Sequence, residues 1–313
     1  MSNNHDLHVV FGAGSLGLAV MRQLLARGRR TWIVSRTGKV AVPSQVQVIR
    51  SDGSDVAAMS EICRWASVIY NCAEVYFLDW EEFLPRIQAG LIAGAALAGA
   101  KLVSAESAII YGRVNGPISE DVALAPVTRK GRIHAQLVRQ LLDAHLTGKV
   151  RATIGVASDV FGPEVLSSAM GEPVFRSLLG AKKIWVAGRL DVPHTYTFID
   201  DFARGLVTLG EKEEALGEVW HIPSAETVTT AQFLEMASKE ARTAYSVGVI
   251  PALFWRIAGL IDPMVGETAA EGYRFEKPFV VNHGKYERTF GGDTTAHSVA
   301  LRQTIEWFRS YVK

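Results

Sequence analysis

Only two cysteines, Cys63 and Cys72, occur in the 313 residues, and they form neither a C-x-x-C pair nor a zinc-ligand pattern. Reduced structural thiols are therefore expected. Long apolar runs are missing too. The two longest stretches free of Asp, Glu, Lys and Arg are Leu7–Met21 and Ile87–Ala100, both short of the roughly 20 residues that a membrane-spanning helix needs. The start, Ser2-Asn3-Asn4-His5-Asp6, lacks the basic and then apolar regions of a signal peptide, so a cytoplasmic protein is expected. Neither sign of charge is in excess: 33 Lys and Arg against 32 Asp and Glu leave a formal +1. No global field is available to hold nucleic acid or an anionic membrane, and neither is an expected partner. The 48 % of hydrophobic residues exclude a disordered chain.

The periodicities that are present alternate between strand and helix. Leu7–Phe11, Thr31–Val34, Val46–Ile49, Ser67–Tyr70, Lys101–Val103 and Val150–Ala157 are apolar, β-rich runs. Between them, Leu16–Leu25, Val56–Ala66, Trp80–Ala100 and Ile133–His145 repeat apolar residues at helical spacing. This alternation predicts an α/β fold, a doubly wound parallel sheet covered by helices. After residue 157 it breaks into turns at Gly162-Pro163, Gly171-Glu172-Pro173 and Asp191-Val192-Pro193, then resumes at Phe202–Leu209 and Val219–Ile222. Residues 1–160 and 193–222 are expected to form a dinucleotide-binding domain, and 161–192 and 223–313 a smaller substrate-binding cap.

Gly12-Ala13-Gly14-Ser15-Leu16-Gly17 follows a predicted strand and opens a predicted helix, the context in which G-x-G-x-x-G binds a dinucleotide. Gly12 permits the turn, Gly14 admits a pyrophosphate, and Gly17 lets the helix pack closely. An acidic ribose ligand should follow about 20 residues later. That window reads Ser35-Arg36-Thr37-Gly38-Lys39 and holds no acid. Its basic side chains and the Ser35 hydroxyl favour a 2′-phosphate, hence NADP rather than NAD. Asp52 is placed either to accept from the adenine amino group or, with Ser54, to cap the Val56 helix.

Further segments carry a resemblance. Tyr70-Asn71-Cys72-Ala73, Ser104-Ala105-Glu106-Ser107-Ala108-Ile109-Ile110-Tyr111-Gly112, Val160-Phe161-Gly162-Pro163 and Phe198-Ile199-Asp200-Asp201-Phe202-Ala203 occur in the order and spacing of one family's motifs. The chain resembles the short-chain dehydrogenase/reductase superfamily, in its extended NAD-dependent epimerase/dehydratase branch. The resemblance implies that Asn71, Cys72 and Ala73 line the cofactor and that Ser107 hydrogen-bonds the substrate oxygen. Two departures follow. Phe11 holds the first glycine position of the branch's usual T-G-x-x-G-x-x-G. The branch's catalytic Tyr-x-x-x-Lys is replaced by Lys130-Gly131-Arg132-Ile133-His134.

In the family that tyrosine exchanges the proton and the lysine assists it and holds the nicotinamide ribose. Here Lys130 stands where the acid is needed, and desolvation beside a nicotinamide would favour release of its proton. His134, one helical turn later, is placed to relay it or to bind the ribose. The alternative is a solvated lysine and a surface histidine. Tyr111 is a possible replacement phenol and Glu106 a possible base.

On the substrate side, nucleotide-sugar enzymes of this branch commonly place an arginine before the Asp-Asp segment, but Val192-Pro193-His194-Thr195-Tyr196-Thr197 has none. With the apolar segments Val249-Ile250, Leu253-Phe254-Trp255 and Ile257–Ile261, this favours a small apolar carbonyl compound. Three functions fit: an NADP-dependent oxidoreductase, a catalytically silent NADP-binding sensor, or an epimerase/dehydratase that retains its cofactor. A homodimer is expected through the helices carrying Leu91, Ile92, Leu97, Leu137 and Leu141.

Overall fold

Strand β1 (Leu7–Phe11) is buried along its whole length, as a continuous apolar run must be when helices cover both faces of a parallel sheet. The computed structural model describes residues 6–75, 79–250, 259, 261 and 263–312. Ser2–His5, Leu253, Phe254, Trp255, Ile257, Ala258 and Leu260 lie outside the described residues. After β1 the chain runs through α1 (Ser15–Ala26), β2 (Arg30–Ser35), β3 (Gln47–Arg50), α2 (Val56–Cys63), β4 (Ala66–Asn71), α3 (Trp80–Ala98) and β5 (Lys101–Ser107). It continues through α4 (Arg129–Leu146), β6 (Arg151–Ala157), β7 (Asp159–Phe161), α5 (Glu172–Leu179), β8 (Lys183–Ala187), β9 (Pro193–His194), β10 (Tyr196–Phe198), α6 (Ile199–Glu211) and β11 (Val219–His221). Then follow β12 (Val228–Thr229), α7 (Thr230–Ala241), β13 (Ser246–Ile250), α8 (Pro263–Ala270), α9 (Gly284–Phe290) and α10 (His297–Tyr311). Among the described residues no helix is long and apolar enough to cross a membrane.

The chain divides into two compact units. The first, residues 1–106, 133–156 and 202–222, holds a seven-stranded sheet in the order β11-β6-β5-β4-β1-β2-β3. Its pairs β1–β2, β1–β4, β2–β3, β4–β5 and β6–β11 are all parallel, so the doubly wound α/β reading holds. Strand order reverses between β1 and β4, the switch point at which such sheets bind ligands. The second unit, residues 107–132, 157–201 and 223–313, contains the two-stranded pairs β7–β10, β9–β12 and β8–β13. It is no smaller than the first. Residues 107–132, 157–160 and 193–201, expected in the dinucleotide-binding part, fall in this second unit: β9 and β10 pair with β12 and β7, and the Ile118 amide donates to Val280 O at 2.7 Å.

Other local departures have simple causes. Gly171-Glu172-Pro173 opens helix α5, since proline in a first turn loses no helical hydrogen bond. Helix α4 begins at Arg129 rather than Ile133, because the Thr128 hydroxyl accepts from the Gly131 amide at 3.0 Å and so caps the early turn. Leu91, Ile92, Leu137 and Leu141 are buried within this single chain and are not offered to a partner; Leu97 alone of that set stays exposed, at 75 %.

On β1, the buried His8 ring stacks on Tyr70 with centroids 5.8 Å apart, and its Nδ1 lies 3.2 Å from the Tyr70 hydroxyl. Burial pulls the imidazole from 6.5 down to about 4, against the opposing pull of Asp6. The folded chain therefore keeps His8 neutral while the unfolded chain takes up a proton below pH 6.5. Stability is expected to fall as pH drops from 6.5 to 4, by roughly 3 kcal/mol from this group at the lower end. Urea midpoints measured across that window test it; His8→Gln should flatten the slope, and an unchanged slope would remove His8 as its source.

Candidate functional site

The first unit builds a cradle at the end of β1. The Gly12 amide donates to Val34 O at 3.1 Å, and the Cys72 amide donates to Phe11 O at 2.8 Å, anchoring the loop to β2 and β4. Gly12 adopts φ +102°, and a Cβ there would fall 2.3 Å from Cys72 O. A Cβ on Gly17 would fall 1.8 Å from Gly12 O, so α1 lies directly against the turn. Around Gly14 the space is open: an added Cβ would meet nothing within 4 Å. Gly14 supplies no capping side chain, and the first turn of α1, with Ser15, Leu16 and Gly17, holds no acid. A bare helix N-terminus above a close-packed glycine turn fits a pyrophosphate.

At the end of β2, Ser35 Oγ is 3.3 Å from Thr37 Oγ1, which also accepts from the Lys39 amide. Arg36 and Lys39 are exposed. Asp52 is engaged locally, its Oδ1 accepting from the Ser54 hydroxyl and amide. Those bonds, helped by the Arg36 cation, hold its carboxyl below the usual range. The cap of α2 is Asp55, which accepts from the Ala58 amide at 3.0 Å, and not Asp52 with Ser54. The two-residue turn takes up Asp52 before the helix begins.

Asn71 stiffens the neighbouring strand ends. Its Nδ2 donates to Ser104 Oγ and its Oδ1 accepts from the Ala73 amide, both at 3.3 Å. Burial pushes the Cys72 thiol up to about 12, leaving it a neutral wall rather than a nucleophile.

The first unit also brings together two residues distant in sequence. Glu106, next to last on β5, is 7 % exposed, and its Oε2 lies 2.7 Å from His134 Nδ1 on α4. A proton on Nδ1 donated to the carboxylate leaves Nε2 as the ring's second working atom. No sequence signal announces the pairing, because 28 residues separate the partners.

The second unit holds the other candidates. Ser107 precedes a 3-10 turn, Ala108–Tyr111, and its hydroxyl makes no capping hydrogen bond there. Tyr111 is buried, and burial together with Glu120 and Asp121 raises its phenol well above the ordinary value, which makes it a poor proton donor. Lys130 is the second residue of α4, half-buried, four residues before His134.

The 192–197 stretch of the second unit carries a buried charge cluster that sequence reading misses. His194 Nε2 lies 2.7 Å from Asp159 Oδ2, and the ring stacks on Phe275 with centroids 4.5 Å apart. Arg274 donates to Asp159 Oδ1, and through its other terminal nitrogen to Glu271 at 2.8 Å. Burial alone would raise the Asp159 carboxyl, yet Arg274 and His194 hold it well below the carboxylate range. The Arg274 guanidinium is thus already matched by two carboxylates, Asp159 and Glu271.

The fold has close parallels among solved structures. A UDP-glucuronic acid 4-epimerase from Bacillus cereus in complex with NAD superposes with a TM-score of 0.79 at 18 % identity, over 97 % of each chain. A UDP-glucose 4-epimerase from Thermotoga maritima with UDP-glucose gives 0.78 at 15 % identity, over 98 % of this chain and all of that one. A dTDP-glucose 4,6-dehydratase from Streptomyces venezuelae with NAD gives 0.76 at 17 %, over 97 % of each chain. No curated protein sequence matches the chain. The model of the NAD dependent epimerase/dehydratase family matches residues 8–222, a span that includes the glycine cradle, Asn71, Ser107 and the altered Lys130 to His134 segment, and the chain therefore belongs to that family.

Proposed function

We propose that this chain is an NADP-dependent oxidoreductase acting on a small, uncharged carbonyl or alcohol, with Ser107, Lys130 and His134 doing the work of the family's serine, tyrosine and lysine. The observation that carries the reading is the Glu106–His134 pair. A carboxylate buried at a strand end is costly unless it is paired. The pair holds an oriented imidazole four residues after Lys130, where a proton relay or a ribose ligand is needed. The bound nicotinamide supplies or accepts the hydride. In this reading Ser107 holds the substrate oxygen, Lys130 moves its proton, and His134, oriented by Glu106, replenishes Lys130 or holds the ribose. The Asp159–Arg274–His194 cluster supports an uncharged substrate, since it leaves no unmatched cation for a diphosphate. Screening ketones, aldehydes and quinones with NADPH at the nicotinamide absorbance tests the activity. The similarity to sugar-nucleotide epimerases and a dehydratase favours a second reading, an epimerase or dehydratase; cofactor that stays bound through purification with no net NADPH consumption would select it.

NADP over NAD rests on Ser35, Arg36 and Lys39 with no acid among them. Calorimetry is expected to give at least about ten-fold tighter binding of NADP(H), the value of one charge-assisted phosphate contact. Arg36→Ala should abolish the preference, and equal affinities in the unaltered protein would remove Arg36 from the site. A homodimer remains part of the proposal, with Leu97 as its available apolar residue; a monomer by light scattering at micromolar concentration would count against it.

A further inference from the structure

At the far end of β1 from the glycine loop, Leu7, Arg30, Trp32 and Trp65 line a cleft of about 210 Å³. Strand register explains its shape. Leu7 pairs with Arg30 on one side and with Ala66, the residue after Trp65, on the other, while Val9 pairs with Trp32. The indoles are therefore carried by segments on either side of β1, offset along it by about three residues, or roughly 10 Å. Leu7 supplies an apolar floor.

The rim is cationic. Arg30 Cζ sits 5.7 Å from the Trp32 ring centroid and Arg64 Cζ 5.4 Å from that of Trp65. Arg64 shares its charge with Glu61 at 3.6 Å. Arg30 is exposed and has no carboxylate partner among the described residues. A lone exposed hydrophobe means little, but Trp65 at 53 % exposure beside a second indole, a cavity and an uncompensated guanidinium is a matched set. We propose that this cleft binds a planar aromatic anion, an aryl carboxylate, sulfonate or phosphate, packed against the Trp32 and Trp65 indoles with its charge on Arg30. The five residues of β1 separate it from Gly12 by roughly 16 Å, so it does not compete with the dinucleotide.

The test uses the whole protein with saturating NAD+ or NADP+ and titrates 8-anilinonaphthalene-1-sulfonate, following its fluorescence and the quenching of tryptophan. Saturable binding at one site is expected. Arg30→Glu and Trp65→Ser, both at exposed positions, should each weaken it at least about ten-fold, and the neutral analogue N-phenyl-1-naphthylamine should bind at least about ten-fold more weakly. Dinucleotide affinity should be the same in both variants. Absence of saturable binding, or binding that both variants leave intact, overturns the proposal. So does loss of a dimer in Trp65→Ser without probe binding, which would make this face a self-association surface instead.

Discussion

Lys130→Met is expected to lower turnover by about 10²–10⁴, the usual contribution of a positioned general acid, while leaving the fold and cofactor affinity intact. Methionine keeps the unbranched apolar stem and removes only the ammonium. A half-buried lysine at a helix start without a chemical role would respond differently, since such substitutions usually stay within about 0.5 kcal/mol. Glu106→Ala separates the parts further. If the carboxylate orients His134, its removal should lower kcat with little change in KM and alter the pH profile of kcat, whereas a purely structural Glu106 would change stability alone. His134→Gln and Glu106→Ala should not add when combined, because each breaks the same 2.7 Å contact. Turnover that survives Lys130→Met and disappears in Tyr111→Phe would move the proton to the phenol, against the burial that now argues for a structural tyrosine.

Asp159→Ala is expected to cost about 3–5 kcal/mol of stability, the range for leaving one partner of a buried ion pair uncompensated. Arg274 would keep only Glu271, and His194 would lose the acceptor at its Nε2. Urea unfolding reads the loss directly. Adding Arg274→Met to Asp159→Ala should recover part of it, since the orphaned charge is then gone. A single-variant loss below about 1 kcal/mol would mean that solvent reaches the cluster. The pH dependence has its own window. Because the folded chain holds the Asp159 carboxyl below its unfolded value of 3.8, this contribution is complete above pH 4 and disappears below it, beneath the 6.5 to 4 window of His8.

The residues of the glycine cradle are legible in the sequence because G-x-G-x-x-G between a strand and a helix is a local pattern. Gly17 packs against Gly12 O five residues back, whereas the crowding of Gly12 comes from Cys72 O at the end of β4. Strand and helix identities follow from repeats of two and of three to four residues, which survive in any fold of the chain. The same locality explains what sequence reading misplaces. The early start of α4 depends on one hydroxyl, Thr128, bonding one amide, and Asp55 rather than Asp52 caps α2 because the intervening turn takes Asp52 first.

The chemistry of the site is of the other kind. Glu106 and His134 meet because α4 returns across β5 on the way to β6, and Asp159 and Arg274 meet across 115 residues because the second unit gathers segments from three parts of the chain. Leu91, Ile92, Leu137 and Leu141 have the periodicity of an apolar face, but periodicity does not distinguish a face covered by the chain's own sheet and helices from one left for a partner. Local sequence determined which segments are strands, helices and the glycine turn, since side-chain periodicity and turn chemistry repeat within a few residues. Tertiary structure alone decided which ionisable groups are buried together and which apolar faces are already used, since both depend on the order of strands in the sheet, which no short window of residues encodes.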